Sequence, residues 1–185
     1  MSAAPVGAAL VAFLVYFVAE RLWELAVSAR ADRALRARGA REFGAAHFPW
    51  IVLVHALYPM ALVAEILRVG ARPERFAALW LAGWIAAQAL RFAAMRALGD
   101  RWSARVLVLP GAPRIVRGPY RWFAHPNYLA VFIETIAGAM MFGAWRTAAA
   151  FGVAQALVLA VRIRCEERAF AAVAAPVPPR RRAAR

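Results

Sequence analysis

Lysine is missing from this 185-residue chain, so all 24 of its permanently basic side chains are arginine. Cysteine occurs once, at Cys165, which excludes an internal disulfide and a disulfide-stapled secreted scaffold. Acidic residues number only ten, which leaves a formal net charge of +14. No Gly-x-Gly and no Walker loop occurs, so the phosphate-cradling loops of soluble nucleotide-binding folds and of the soluble methyltransferase type are absent. Three scattered histidines and one cysteine offer no metal-ligand spacing, and no histidine accompanies Cys165 at the distance a nucleophile motif needs.

Apolar residues are abundant. They make up 64% of the chain, against about 45–50% in a soluble domain. With a mean hydropathy of +0.55, both a soluble globular domain and a disordered chain are excluded. The length allows one domain. What remains is an integral membrane protein with a strongly basic face.

Five apolar stretches approach membrane-spanning length: Ala3 to Ala26, Phe48 to Val69, Phe76 to Leu98, Asn127 to Trp145, and Thr147 to Ile163. A helix needs about 20 residues to cross the hydrocarbon core. The last two stretches are shorter and share the connector Gly143-Ala144-Trp145-Arg146, which predicts a helical hairpin. The first stretch lacks a basic flank on its N-terminal side, so it reads as a span and not as a cleavable signal. The expected fold is all-α, with about five transmembrane helices.

Arginines crowd the connector after the first helix (Arg30, Arg33, Arg36, Arg38, Arg41), the segment after the third, and the tail after the fifth. The other connectors hold few. By the positive-inside rule this predicts an external N-terminus and a cytoplasmic C-terminus. Arginines dispersed among hydrophobic spans do not suit a nucleic-acid surface, so the bilayer is the expected partner. The Ala/Arg/Val bias points to a GC-rich bacterial genome and hence the inner membrane. Residues 1–173 read as one membrane domain, and residues 174–185 as a disordered basic tail drawn to anionic headgroups.

Two segments hold residues suited to chemistry. The first is Arg117-Gly118-Pro119-Tyr120-Arg121-Trp122-Phe123-Ala124-His125-Pro126-Asn127-Tyr128, preceded by a β-branched run, Val106 to Leu109, that reads as extended. Pro126 suits the first turn of a helix, whose free N–H groups favour an anion. His125, Asn127 and Tyr128 can therefore surround a polar ligand. The residue types alone favour a plainer arrangement, an interfacial aromatic belt with His125 capping a helix. The second segment is Arg162-Ile163-Arg164-Cys165-Glu166-Glu167-Arg168. Arg162 and Glu166 share a helical face, either as an exposed ion pair worth about 0.3–0.5 kcal/mol or facing a ligand. Among charges in or near the spans, Glu20, Glu24 and Arg91 suggest snorkelling or interhelical pairing, whereas Glu134 is deep enough to line a cavity. His55 reads as an interhelical hydrogen-bond partner.

Taken together, the two segments resemble the isoprenylcysteine carboxyl methyltransferase family, from about Leu98 to Phe170. The Val-Leu-Pro-Gly stretch looks most like a bacterial branch that includes alkylpyrone O-methyltransferases. The resemblance implies a small membrane enzyme using S-adenosylmethionine. Carried over by position, Ala112, Pro113, Arg114, Ile115, Tyr120, His125, Pro126, Asn127, Tyr128 and Glu166 would form the cofactor pocket within residues 98–170. Arg162, with Glu166, would serve catalysis, and Arg162 with Glu134 would face a lipophilic acceptor. Where the family usually has arginine before His-Pro, this chain has Ala124, with Arg117 and Arg121 nearby to compensate. Phospholipid N-methylation and a non-catalytic membrane scaffold are the competing readings.

Overall fold

The computed structural model describes residues 3–70 and 75–173, which places the expected tail at 174–185 outside the described residues. Five helices dominate: α1 (Ala3–Ala37), α2 (Phe48–Val69), α3 (Ala77–Leu98), α4 (Pro126–Met140) and α5 (Trp145–Val173). Among the described residues, three segments are long and apolar enough to cross a membrane: Ala45–Val69, Ala77–Arg101 and Trp145–Val173. At 1.5 Å per residue, the 15 residues of α4 extend only about 22 Å, short of a hydrocarbon core of about 30 Å. The expected five helices are present, but among the described residues only three segments have the length and apolarity of a span, and neither α1 nor α4 is one of them.

The expected helix ends need correction. α1 continues from Ala26 to Ala37, and α5 continues from Ile163 to Val173. Both extensions are rich in Ala and Arg, which are strong helix formers, so the helices outlast their apolar stretches. The all-α expectation also needs amending. A two-stranded antiparallel ribbon joins β1 (Arg41–Phe43) to β2 (Val106–Val108), with Glu42 opposite Leu107. The extended reading of Val106 to Leu109 was right, but its partner strand was not foreseen. Glu42 fastens the ribbon through Arg105 and Arg36. Partial burial opposes its ionisation, yet these two hydrogen-bonded guanidiniums hold the carboxyl below its ordinary range. Val106 and Val108 pack against Ala169 and Phe170 near the end of α5. The arginine-bearing ends of α1, α3 and α5 therefore gather at one end of the bundle.

At the other end, α4 and α5 form the expected hairpin. Gly143 turns it at φ 72°, and Glu65 of α2 caps α5 by accepting from the backbone N–H groups of Arg146 and Thr147. The apolar core there includes Phe13, Tyr58, Leu62 and Phe142. Gly138 faces it so closely that an added Cβ would lie 2.7 Å from Tyr58 Oη and 2.8 Å from Phe13 Cζ. Gly138→Ala is expected to destabilise the fold by about 1–3 kcal/mol through overpacking. Thermal unfolding in detergent measures this, and an unchanged melting temperature contradicts it.

Between the two ends lies a buried ionic knot. Arg91 of α3, 1% exposed, donates from Nε to Glu134 Oε1 at 2.7 Å and from Nη1 to Glu24 Oε1 at 2.5 Å. Its Nη2 also meets Glu134. Arg21 lies 2.9 Å from Glu20 and 3.0 Å from Glu24, and Gln88 donates to Glu20. Glu20, Glu24 and Arg91 are thus paired between helices and do not snorkel. Glu134, expected to line a cavity, is bound by Arg91 inside this knot.

Candidate active site

The ribbon, the segment after α3 and the C-terminal half of α5 enclose a polar chamber. Its walls include Leu35 of α1, Arg101, Trp102, Arg105, Ala112 to Ile115, Tyr120, Ala124, His125, Asn127, Tyr128, Arg162, Glu166 and Phe170. Residues expected in two separate sequence segments therefore meet around one space. Pro126 is the exception among the expected cofactor residues. It is fully buried at the first turn of α4 and supports the wall from behind.

Local chemistry fixes each wall. Gly118-Pro119-Tyr120-Arg121 forms a short 3-10 turn that buries Pro119 and turns the Tyr120 ring inward. Burial first, and the charge of Glu166 second, push the Tyr120 hydroxyl pKa upward, so it stays a neutral donor. His125 occupies the cap position of α4 but makes no side-chain capping bond. The capping role expected from residue type is therefore not what it does. Its ring stacks on Tyr128 with planes 6° apart, and its Nε2 lies 3.1 Å from Glu167 Oε1. Glu167 also receives Arg114 bidentately at 3.0 and 2.6 Å, a hydrogen bond that raises the guanidinium's pKa. Arg114 in turn covers the Phe170 ring. Together with Gly111 N–H donating to Val173 O, these contacts pin residues 109–116 against α5.

Arg162 and Glu166 do not form the ion pair that their spacing suggests. The Tyr128 hydroxyl is inserted between them. Arg162 Nε donates to Tyr128 Oη at 2.8 Å, and that hydroxyl donates to Glu166. Arg162 is only 6% exposed. Among the described residues, no carboxylate lies within ion-pair distance of its guanidinium. The compensating arginines expected for Ala124 also differ: Arg117 Nε donates to Ala97 O, and Arg121 lies over Trp122. Neither lines the chamber, whereas Arg101, Arg105 and Arg114 do.

A second, mostly apolar chamber opens between α1, α2, α4 and α5. It encloses about 380 Å³, against about 140 Å³ for the polar one. The two chambers share Trp102, Ser103, Asn127, Tyr128 and Arg162. Asn127 Oδ1, at this junction, is buried without a hydrogen-bond partner among the described residues. Glu134 lines neither chamber.

The sequence profile of the isoprenylcysteine carboxyl methyltransferase family matches residues 78–172, a range containing both chemistry-bearing segments and the hairpin between them. The chain belongs to this family. It is 34% identical over 160 residues, 85% of its length, to an uncharacterized protein of Bacillus subtilis, YpbQ, of which 94% is covered. It is 27% identical over 154 residues to an uncharacterized protein of Haemophilus influenzae, covering 83% of this chain and 90% of that one. No solved structure matches. For this membrane methyltransferase family member, the residue pattern already located most of the polar chamber. It missed Arg101, Arg105 and Glu167. Glu167 had a signal, since it adjoins Glu166 in the same motif; the two arginines had none beyond their position before the Pro-Gly.

Proposed function

We propose that the protein transfers a methyl group from S-adenosylmethionine to an oxygen of a lipophilic acceptor, a carboxylate or an enol such as an alkylpyrone or an isoprenylcysteine-like lipid. The observation that carries this reading is Arg162. It is a buried guanidinium without a carboxylate partner, placed where a polar chamber meets an apolar one. A buried cation of this kind is costly unless an anion joins it.

The polar chamber fits the cofactor chemically. S-adenosylmethionine supplies an electrophilic methyl on a sulfonium, together with amino groups that donate hydrogen bonds and a carboxylate that accepts them. The orphaned Asn127 Oδ1 offers an acceptor for a ligand donor. Arg101, Arg105 and the neutral Tyr120 hydroxyl offer donors to a carboxylate. His125, Tyr128 and Glu166, with the backbone of Ala112 to Ile115, would complete the holding set.

The chain's work in this reaction is positioning and charge control. Arg162 holds the acceptor oxygen in its anionic, nucleophilic form. Tyr128 and Glu166 fix the guanidinium's orientation through the hydrogen-bonded line described above. The apolar chamber takes the lipid tail from the bilayer. Aligning both partners supplies much of the acceleration, so a separate general base is not required. The arginine distribution supports a polar chamber on the cytoplasmic side of a bacterial inner membrane, with the N-terminus outside.

Calorimetric titration of S-adenosylmethionine into the detergent-solubilised protein tests the reading. Saturable binding is expected for the wild type, with a loss of at least about 10-fold in affinity for Glu166→Ala and His125→Ala, since each leaves buried polar partners unpaired. Absence of binding by the folded wild type overturns it in favour of a scaffold. Methylation of a phospholipid amine, with no O-methyl product, would favour the N-methyltransferase reading, which a buried Arg162 cation argues against.

A further inference from the structure

The bend that leads into β2 is fastened by two residues of α1. Arg105 N–H donates to Ser103 Oγ at 2.9 Å, and that hydroxyl donates to Asp32 Oδ1 at 2.5 Å. Ala104 N–H donates to Ser28 Oγ at 2.9 Å, and that hydroxyl reaches the same Asp32 oxygen at 3.4 Å. Ser28 and Asp32 are four residues apart and share one face of α1. Two lines of hydrogen bonds thus run from consecutive backbone amides to one carboxylate oxygen. Ser28 is buried and the Asp32 side chain is only 13% exposed, so a line broken here leaves a backbone donor poorly served by water. The other Asp32 oxygen lies 3.7 Å from Arg105 Nε. Arg105 also donates from Nη1 to Glu42 at 2.7 Å and lies 4.3 Å above the Phe48 ring.

The fastened bend belongs to both chambers. Trp102 and Ser103 line the two of them, Ala104 lines the apolar one and Arg105 the polar one. Asp32 itself lines neither. It also lies outside residues 78–172, so the family's motif assigns it nothing. We infer that Asp32 is a positioning residue of the polar chamber. Through Ser103 and Ser28 it fixes the backbone of Ala104 and Arg105, and so fixes where the Arg105 guanidinium meets the carboxylate of the cofactor. This rests on the proposed use of S-adenosylmethionine. The charge of Asp32 acts in the opposite sense, because a carboxylate 3.7 Å from Arg105 competes with a ligand carboxylate for the same cation. Position and charge therefore predict opposite signs for its removal.

The test is titration of S-adenosylmethionine into the full-length protein in detergent, with hydrogen exchange of the ligand-free protein beside it. Asp32→Ala is expected to weaken binding roughly 10-fold, the effect of misplacing one charge-assisted hydrogen bond. Asp32→Asn keeps the accepting oxygen and is expected to stay within about 3-fold of wild type. Arg105→Met is itself expected to bind about 10-fold more weakly, and adding Asp32→Ala to it to cost less than about 2-fold more, because the two act through one another. Exchange over residues 102–106 is expected to quicken in Asp32→Ala while α3 and α5 keep their protection. Unchanged affinity in a folded Asp32→Ala protein overturns the inference, and so does full additivity with Arg105→Met. Tighter binding in both Asp32 variants overturns it too, leaving the carboxylate as a competitor for Arg105. If Asp32→Ala does not fold, Ser28→Ala frees the Ala104 amide alone and decides: binding about 3-fold weaker supports the inference, and unchanged binding overturns it. A folded wild type that binds no S-adenosylmethionine sinks the methyl-transfer reading and this inference with it. A wild type that binds, beside an Asp32→Ala protein that binds equally, sinks the inference alone.

Discussion

On the proposed methyl transfer, Arg162→Met is expected to lower turnover of an alkylhydroxypyrone by about 100- to 1,000-fold in kcat/KM, with S-adenosylmethionine affinity staying within about 3-fold. The magnitude follows from removing a preorganised positive group beside the reacting oxygen. The separation of effects follows from the architecture, since Arg162 belongs to both chambers but uses only Nε within the fold. Arg162→Lys keeps the charge but loses the planar fork that meets both Tyr128 and an acceptor oxygen. It is expected to recover only a small part of the rate. Steady-state kinetics beside calorimetry reads both quantities. Unchanged turnover in Arg162→Met would remove the central element of the mechanism, and a parallel collapse of cofactor binding would reassign Arg162 to the cofactor.

Arg91→Leu has the largest expected effect on stability. Three carboxylates, Glu20, Glu24 and Glu134, would be left with Arg21 alone as their cation. Removing one partner from a buried ion pair costs about 3–5 kcal/mol, a large share of a typical folding free energy of about 5–15 kcal/mol. The variant is expected to aggregate on extraction. Arg91→Met combined with Glu24→Gln and Glu134→Gln removes the charges together and is expected to regain most of the monodisperse protein, since buried ion pairs seldom exceed neutral replacements in stability. Size-exclusion profiles and melting temperatures in detergent decide this. A well-folded Arg91→Leu would show that water or lipid headgroups reach the knot.

These two arginines mark where sequence reading succeeds and where it stops. The five helices were legible because apolar runs of fixed length follow from the thickness of a bilayer. Their ends were not, since the Ala- and Arg-rich continuations of α1 and α5 carry helix propensity without hydropathy. β1 was invisible. Three residues, Arg41-Glu42-Phe43, are a strand only because Val106 to Val108 pair with them from a distant part of the chain. Most walls of the polar chamber were legible from the two linked motifs. The insertion of Tyr128 between Arg162 and Glu166 was not, because helical spacing reports which residues share a face and says nothing of what another helix places between them. Glu134 shows the same limit: depth in a span signals a partner, and only the packed fold reveals that the partner is Arg91.

The pairing of β1 with β2, and their packing against the end of α5, also bears on how the protein is made. The polar chamber draws on Leu35, on the stretch from Arg101 to Tyr128, and on Arg162 to Phe170. A chain emerging from the ribosome has released four helices before the chamber wall is complete. Until the last turns of α5 are released, Val106 and Val108 lack the Ala169 and Phe170 side chains that cover them. The end of α5 is therefore the last part of the chamber wall to be synthesised, and a chain that stops short of it lacks the wall that Arg162, Glu166 and Phe170 supply.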